Sequence, residues 1–214
     1  MTLRVWGRAT SVNVQAVTWC AAELGLAVER LDVGHVHGGN DTPEFLGMNP
    51  MGKVPVLRDG EVVMFESAAI VRYLAARYGD AGFWPEAARR GPLDTWAEWV
   101  KTALAPAFLF GVFYPLVRRD PALLTPDVLR SGEQEMAVLA GMLARRIGAG
   151  PWIGGETFCW ADIMAGHLLY RYFDLPFARA DLPELEAYYA RLCTRPAFRD
   201  HVMVSYETLR FKGT

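Results

Sequence analysis

Apolar and polar positions along the chain follow two regimes that meet between residues 80 and 88. Before that point, short alternating stretches interleave with helical ones. "LRVWG" alternates over the length of a strand, and "SVNVQAVTWCAAELG" then places Val12, Ala16, Trp19 and Cys20 at helical spacing up to Gly25, a natural stop. "AVERLDV" sets Val28, Leu31 and Val33 among polar neighbours and predicts a second strand. Strand, helix and strand in so short a span form a unit whose strands run parallel. A Gly- and Asn-rich loop, "GHVHGGNDTPEFLGMNP", follows with one helical turn at Pro43 to Leu46. "VPVL" and "EVVMF" then flank "RDG", where Asp59-Gly60 supplies the positive φ of a tight hairpin. "ESAAIVRYLAARYG" closes the region as a helix ending at Gly79.

After the linker the alternation disappears. The spacing predicts a long helix from about Arg89 to Val117, bent near Pro106, and a second from "TPDVL" to Ile147, with Thr125 as cap and Pro126 in the first turn. Three more helices cover "WADIMAGHLLYRYF", "LPELEAYYARLCTR" and "AFRDHV". The expected architecture is a mixed α/β domain over residues 1–79, a linker over 80–88 and an all-α domain over 89–214.

Composition narrows the function. With 214 residues, 52% of them hydrophobic, the chain can build one or two cores. Lys and Arg total 22 against 24 Asp and Glu, with no block of like charge, which argues against nucleic acid or an anionic membrane and for a small ligand. Cys20, Cys159 and Cys193 lie far apart with no C-x-x-C pair, so neither a zinc cage nor a disulfide framework is expected, and a reducing cytoplasm fits. No metal is expected. The uncharged segment between Lys101 and Arg118 falls short of a membrane span and contains Pro106 and Pro115. The N-terminus runs into a strand pattern without a leader.

Pro55 is the informative exception, because it stands in a strand-like stretch where it cannot donate a ladder hydrogen bond. An X-Pro bond adopts cis at a cost of only about 0.5–1 kcal/mol. A cis Val54-Pro55 bond at a sheet edge would turn the N–H and C=O of Val54 outward, where an extended peptide can pair with them. The other reading is that Pro55 guards an edge against aggregation.

The run "NPMGKVPVL", the hairpin "DG", "FES" opening a helix and the all-helical second half together resemble the cytosolic glutathione transferases, over essentially the whole chain. The resemblance implies a thioredoxin-like N-terminal domain, glutathione as co-substrate and a homodimer. It implies that Val54 and Pro55 hold the cysteinyl backbone of glutathione. Ser67 would donate to the γ-glutamyl carboxylate and Glu66 would face its ammonium, although ordinary capping of that helix explains the same two residues. Lys53 and Asn40, with His37 as a second candidate, fit the glycyl end. Here the chain departs from plant-like members, which carry a His-Lys pair where this one reads Asn40-Asp41-Thr42. Glu98 is a candidate for the partner's γ-glutamyl ammonium.

The thiol needs a donor, since at a cysteine-like pKa of about 8.5 it is mostly protonated at neutral pH. "GRATSVNV" brings Thr10, Ser11 and Asn13 to the start of the first helix. No tyrosine lies between Val5 and Glu23, and Cys20 is too far along, so the loop looks like that of serine- or asparagine-type bacterial transferases. Ser11 is the expected donor, with Asn13 and then Thr10 behind it; capping by Ser11 or Thr10 is the plain alternative. Phe110, Phe113, Tyr114 and Val117 at i, i+3, i+4 and i+7 form an apolar stripe, of which the first three are expected to wall a site for a hydrophobic electrophile. Asp162 in "CWADI" matches the family's structural capping box, and His167 reads as a core histidine. The expected reaction is conjugation of the glutathione thiolate to an electrophile. Isomerase, dehalogenase or peroxidase chemistry on the same thiolate, and a non-catalytic binding protein, remain open at this point.

Overall fold

The computed structural model describes residues 2–213. Four strands form one sheet: β1 (Leu3–Trp6), β2 (Val28–Leu31), β3 (Val56–Asp59) and β4 (Val62–Phe65), in the order β2-β1-β3-β4. β1 and β2 are parallel, while β3 is antiparallel to both β1 and β4. Asp59 pairs with Val62, so the hairpin loop is Gly60-Glu61, and Gly60 takes φ +59°. β3 begins at Val56. Pro55 therefore sits just outside the ladder, and no strand hydrogen bond is lost to it.

Helices α1 (Val12–Glu23) and α3 (Ser67–Tyr78) pack together beside the sheet, and α2 (Pro43–Met48) lies in the loop before β3. Val14, Ala16, Val17, Trp19, Cys20 and Ala21 of α1 are all buried, because the helical domain covers the side of α1 that the sheet does not.

The connecting segment is shorter than expected. Glu86 accepts from the N–H groups of Ala88 and Arg89, which starts the next helix at Ala87. That helix, α4, runs over Ala87–Arg118. It is regular at both Ala87–Trp99 and Ala105–Phe108, but widens to i→i+5 bonding over Val100–Leu104 and Leu109–Arg118. Pro106 and Pro115 lack the N–H that an α-helix would use and crowd the carbonyl four residues back; a wider turn relieves both problems. By length and composition α4 is apolar enough to cross a membrane. Here Ala97, Val100, Leu104, Phe108 and Val112 of that run fill the protein core.

The remaining helices are α5 (Pro126–Ile147), α6 (Trp160–Gly166), α7 (Leu169–Asp174), α8 (Pro183–Thr194) and α9 (Pro196–His201). The single helix expected over "WADIMAGHLLYRYF" is thus two. They part where the His167 ring bonds back to the Met164 carbonyl at 2.9 Å. Ion pairs join the domains: Arg195 to Glu23, Arg72 to Asp94, and Lys101 to Glu66.

Candidate functional site

A cleft of about 340 Å³ opens between the loop after β1, the approach to β3 and the wide part of α4. The loop after β1 begins at Gly7, whose φ is +153° and where a Cβ would lie 2.4 Å from the Val14 side chain. Only a glycine lets the chain press so close to α1. The chain then turns, with the Ser11 N–H donating to the Arg8 carbonyl at 3.1 Å.

Ser11 occupies the N-cap position of α1, yet its hydroxyl makes no capping bond. The first turn of α1 contains no acidic residue, so the positive end of the helix is not neutralised from within. Thr10, Ser11, Val12 and Asn13 all line the cleft. Asn13 Oδ1 accepts from the Ser67 hydroxyl at 3.1 Å, which leaves its Nδ2 as a free donor. Donors without acceptors converge here, the chemistry that a developing thiolate needs.

On the opposite side stand Asn40, Gly52, Lys53 and Val54. The Val54-Pro55 bond is cis. Among the described residues neither the N–H nor the C=O of Val54 takes part in a hydrogen bond. The segment is held from behind: Asn49 Nδ2 donates to the Lys53 carbonyl at 2.6 Å, and Asn40 Nδ2 donates to the Gly52 carbonyl at 2.8 Å. One N–H of the Asn40 amide is thus engaged, and its second N–H and its Oδ1 are left to face a ligand.

Pro55, Glu66 and Ser67 lie outside the lining. Ser67 is buried and reaches the cleft through Asn13. Glu66 takes φ +69°, a region that a non-glycine residue enters only when its surroundings impose it, and its carboxylate pairs with Lys101 at 3.2 Å. Glu98 is likewise engaged within the chain, accepting from Arg72 at 3.1 Å.

The helical wall departs from expectation. Leu109, Phe113, Tyr114 and Arg118 line the cleft, at i, i+4, i+5 and i+9. That is the repeat of a widened helix, and it carries Phe110 off the lining. Phe110 is 59% exposed and packs its edge on Tyr114. It does not wall the cleft.

Sequence reasoning missed the cations. Arg8, His35, Arg118 and Arg171 also line the cleft, with no carboxylate among the lining residues. Arg171 comes from α7 and donates to the Thr10 carbonyl at 2.7 Å. Burial lowers its pKa to about 10. Burial also lowers that of Arg8, with Arg118 adding to the shift, and His35 is lowered by burial and then by Arg118 and Arg8. Only Arg8, in "GRATSVN", stood near the motif in sequence. Among the described residues no three His, Cys, Asp or Glu side chains come together to hold a metal.

Comparison with known proteins decides the family. The model for the glutathione S-transferase N-terminal domain matches residues 1–76, and that for the C-terminal domain matches residues 104–196. The chain is a glutathione S-transferase family member. It is 35% identical to glutathione S-transferase GstB of Escherichia coli K12, over 94% of this chain and 98% of the relative. Glutathione S-transferase 3 of Zea mays is 31% identical, over 94% and 93%. The theta class glutathione S-transferase of Xanthomonas axonopodis pv. citri, solved with glutathione bound, superposes with a TM-score of 0.90 at 37% identity, covering 95% and 98%. The two-part architecture expected from the sequence is thus borne out. In this transferase Cys20 is fully buried against the Val71 carbonyl, and burial pushes its thiol far up, away from any nucleophilic role.

Proposed function

We propose that this glutathione transferase binds glutathione along the Val54 edge, holds its thiol at the start of α1 and conjugates the thiolate to an electrophile seated against α4. One observation carries the reading: the Ser11 hydroxyl, unused by its own helix, shares a cleft with the unpaired backbone of Val54. The N–H and C=O of Val54 would pair with the cysteinyl residue as an added strand. Lys53 and Asn40 lie towards the glycyl end. Ser67, buried at the N-terminus of α3 with its hydroxyl given to Asn13, would receive the γ-glutamyl carboxylate on its backbone N–H, and Glu66, paired with Lys101, would face the ammonium.

In that pose the thiol meets Ser11, with Asn13 and Thr10 beside it. Hydrogen bonds to sulfur stabilise the thiolate over the thiol and lower a pKa that starts at about 8.5. The sulfur pair then forms a bond to the electrophilic carbon, the leaving group departs with its own pair, and the thiol proton goes to solvent. Proximity and preset donors supply the rate. Phe113 and Tyr114 would wall the second substrate.

Retention on immobilised glutathione together with turnover of an aryl halide supports this reading. Retention without turnover of any electrophile, isomerisable acid or peroxide would instead identify a binding protein. We further read the protein as a cytoplasmic homodimer acting in detoxification. Val62, Val63 and Phe65 of the edge strand are exposed apolar side chains that a second copy would cover, and light scattering should return twice the mass of one chain.

A further inference from the structure

Three arginines enter the cleft from separate elements: Arg8 from the loop after β1, Arg118 from the end of α4 and Arg171 from α7. Cations withdrawn from water are ordinarily paired with an acid. Among the described residues none of these three has a carboxylate within ion-pair distance. Arg171 is only 2% exposed, and the Nε atoms of both Arg8 and Arg171 are buried without a hydrogen-bond partner.

Aromatic faces hold two of these groups in place of acids. The Arg171 guanidinium lies 4.6 Å from the centre of the Phe113 ring and 5.5 Å from that of Tyr206, and Arg118 lies 5.0 Å from that of Tyr114. Such contacts orient a guanidinium without neutralising it. Like charges gathered in a half-buried cleft raise the local affinity for an anion. Lys53 lies on the side of the cleft read above as the glycyl end of glutathione, whereas Arg118 and Arg171 belong to the helical domain, on the wall that carries Leu109, Phe113 and Tyr114.

We propose that the second substrate is an anionic electrophile, its aromatic or apolar body against Leu109, Phe113 and Tyr114 and its carboxylate received by Arg8, Arg118 and Arg171. The inference rests on the transferase reading above and names the substrate class. Planar guanidinium groups suit a carboxylate because two parallel N–H donors match its two oxygens. With 4-chloro-3,5-dinitrobenzoate as probe, the thiolate sulfur would form a bond to the ring carbon bearing chlorine. Chloride would leave with the bonding pair, and the ring carboxylate would be unchanged.

The test compares each acid with its uncharged amide. Calorimetry on the glutathione-loaded protein measures binding of the unreactive pair 3,5-dinitrobenzoate and 3,5-dinitrobenzamide. Steady-state rates for 4-chloro-3,5-dinitrobenzoate and its carboxamide, each divided by the uncatalysed rate, give the kinetic counterpart. We expect the acid to be favoured at least about tenfold in both. Arg118→Gln, at a half-buried position, should remove most of that preference through the electrophile's constants and not through the KM of glutathione; Arg171→Met should do the same wherever it folds.

Equal binding of acid and amide to the unsubstituted protein would overturn the proposal. So would a preference that survives Arg118→Gln, or a substitution that weakens glutathione by the same factor as the acid. A preference for the acid without turnover of either probe upholds the anion site and defeats the transferase reading. Turnover of both probes without preference does the reverse.

Discussion

At Ser11 the demands of folding meet the proposed chemistry. The residue is the expected thiol donor with capping as the plain alternative, and the hydroxyl left without a capping bond favours the first. Lys53 is exposed and lines the cleft, and Lys53→Met should raise the KM of glutathione several-fold with little change in kcat, the signature of lost uniform binding. His167 is a structural case. Burial lowers its pKa to about 4, while an unfolded histidine titrates near about 6.5. The unfolded chain therefore takes up the proton first as pH falls. The stability held above about pH 6.5 is lost towards about pH 4, on the order of 3 kcal/mol. Burial raises the Asp162 pKa to about 6, which works in the opposite sense, so the slope should appear as the difference between the unsubstituted protein and His167→Gln in urea unfolding at a series of pH values.

Elements account for what the pattern reveals and what it conceals. The hairpin, α1 and α3 were legible because glycine, proline and capping residues act within a few positions of themselves. Phe110 was misplaced for a physical reason: the i, i+3, i+4, i+7 rule assumes α-helical turns, and Leu109–Arg118 has wider ones. Nothing in apolar spacing reports a change in turn width. α4 also touches α5 backbone to backbone, since a Cβ on Gly132 would lie 2.2 Å from the Gly111 carbonyl oxygen. Gly132→Ala should therefore destabilise by about 3 kcal/mol through forced separation of the two helices, measurable by thermal melting. At the start of α6, Asp162 accepts from the N–H groups of Ile153 and Cys159 and from the Tyr188 hydroxyl, each at 2.9 Å. Asp162→Ala would strand three buried donors, and a loss of about 3–5 kcal/mol is expected in the same melts.

At the scale of the whole molecule, the cleft joins residues from both domains. One side of the cleft was legible because Asn40, Lys53, Val54 and the α1 loop fall within one continuous motif-bearing stretch. The cationic side was not, because Arg171 meets Thr10 across 161 positions of sequence and no local pattern reports such a contact. The charge balance was equally silent, since a net charge of −2 averages over a cleft lined by cations alone among the charged residues. Whole-chain composition argued for a small ligand; the cleft adds which sign of charge that ligand should carry.

The most direct test is the titration of the thiol of bound glutathione, followed by the ultraviolet absorbance of the thiolate in the complex. The account predicts a pKa at least about one unit below the free value of about 8.5, rising towards that value in Ser11→Ala. A bound thiol that titrates at its free value in the unsubstituted protein would contradict it.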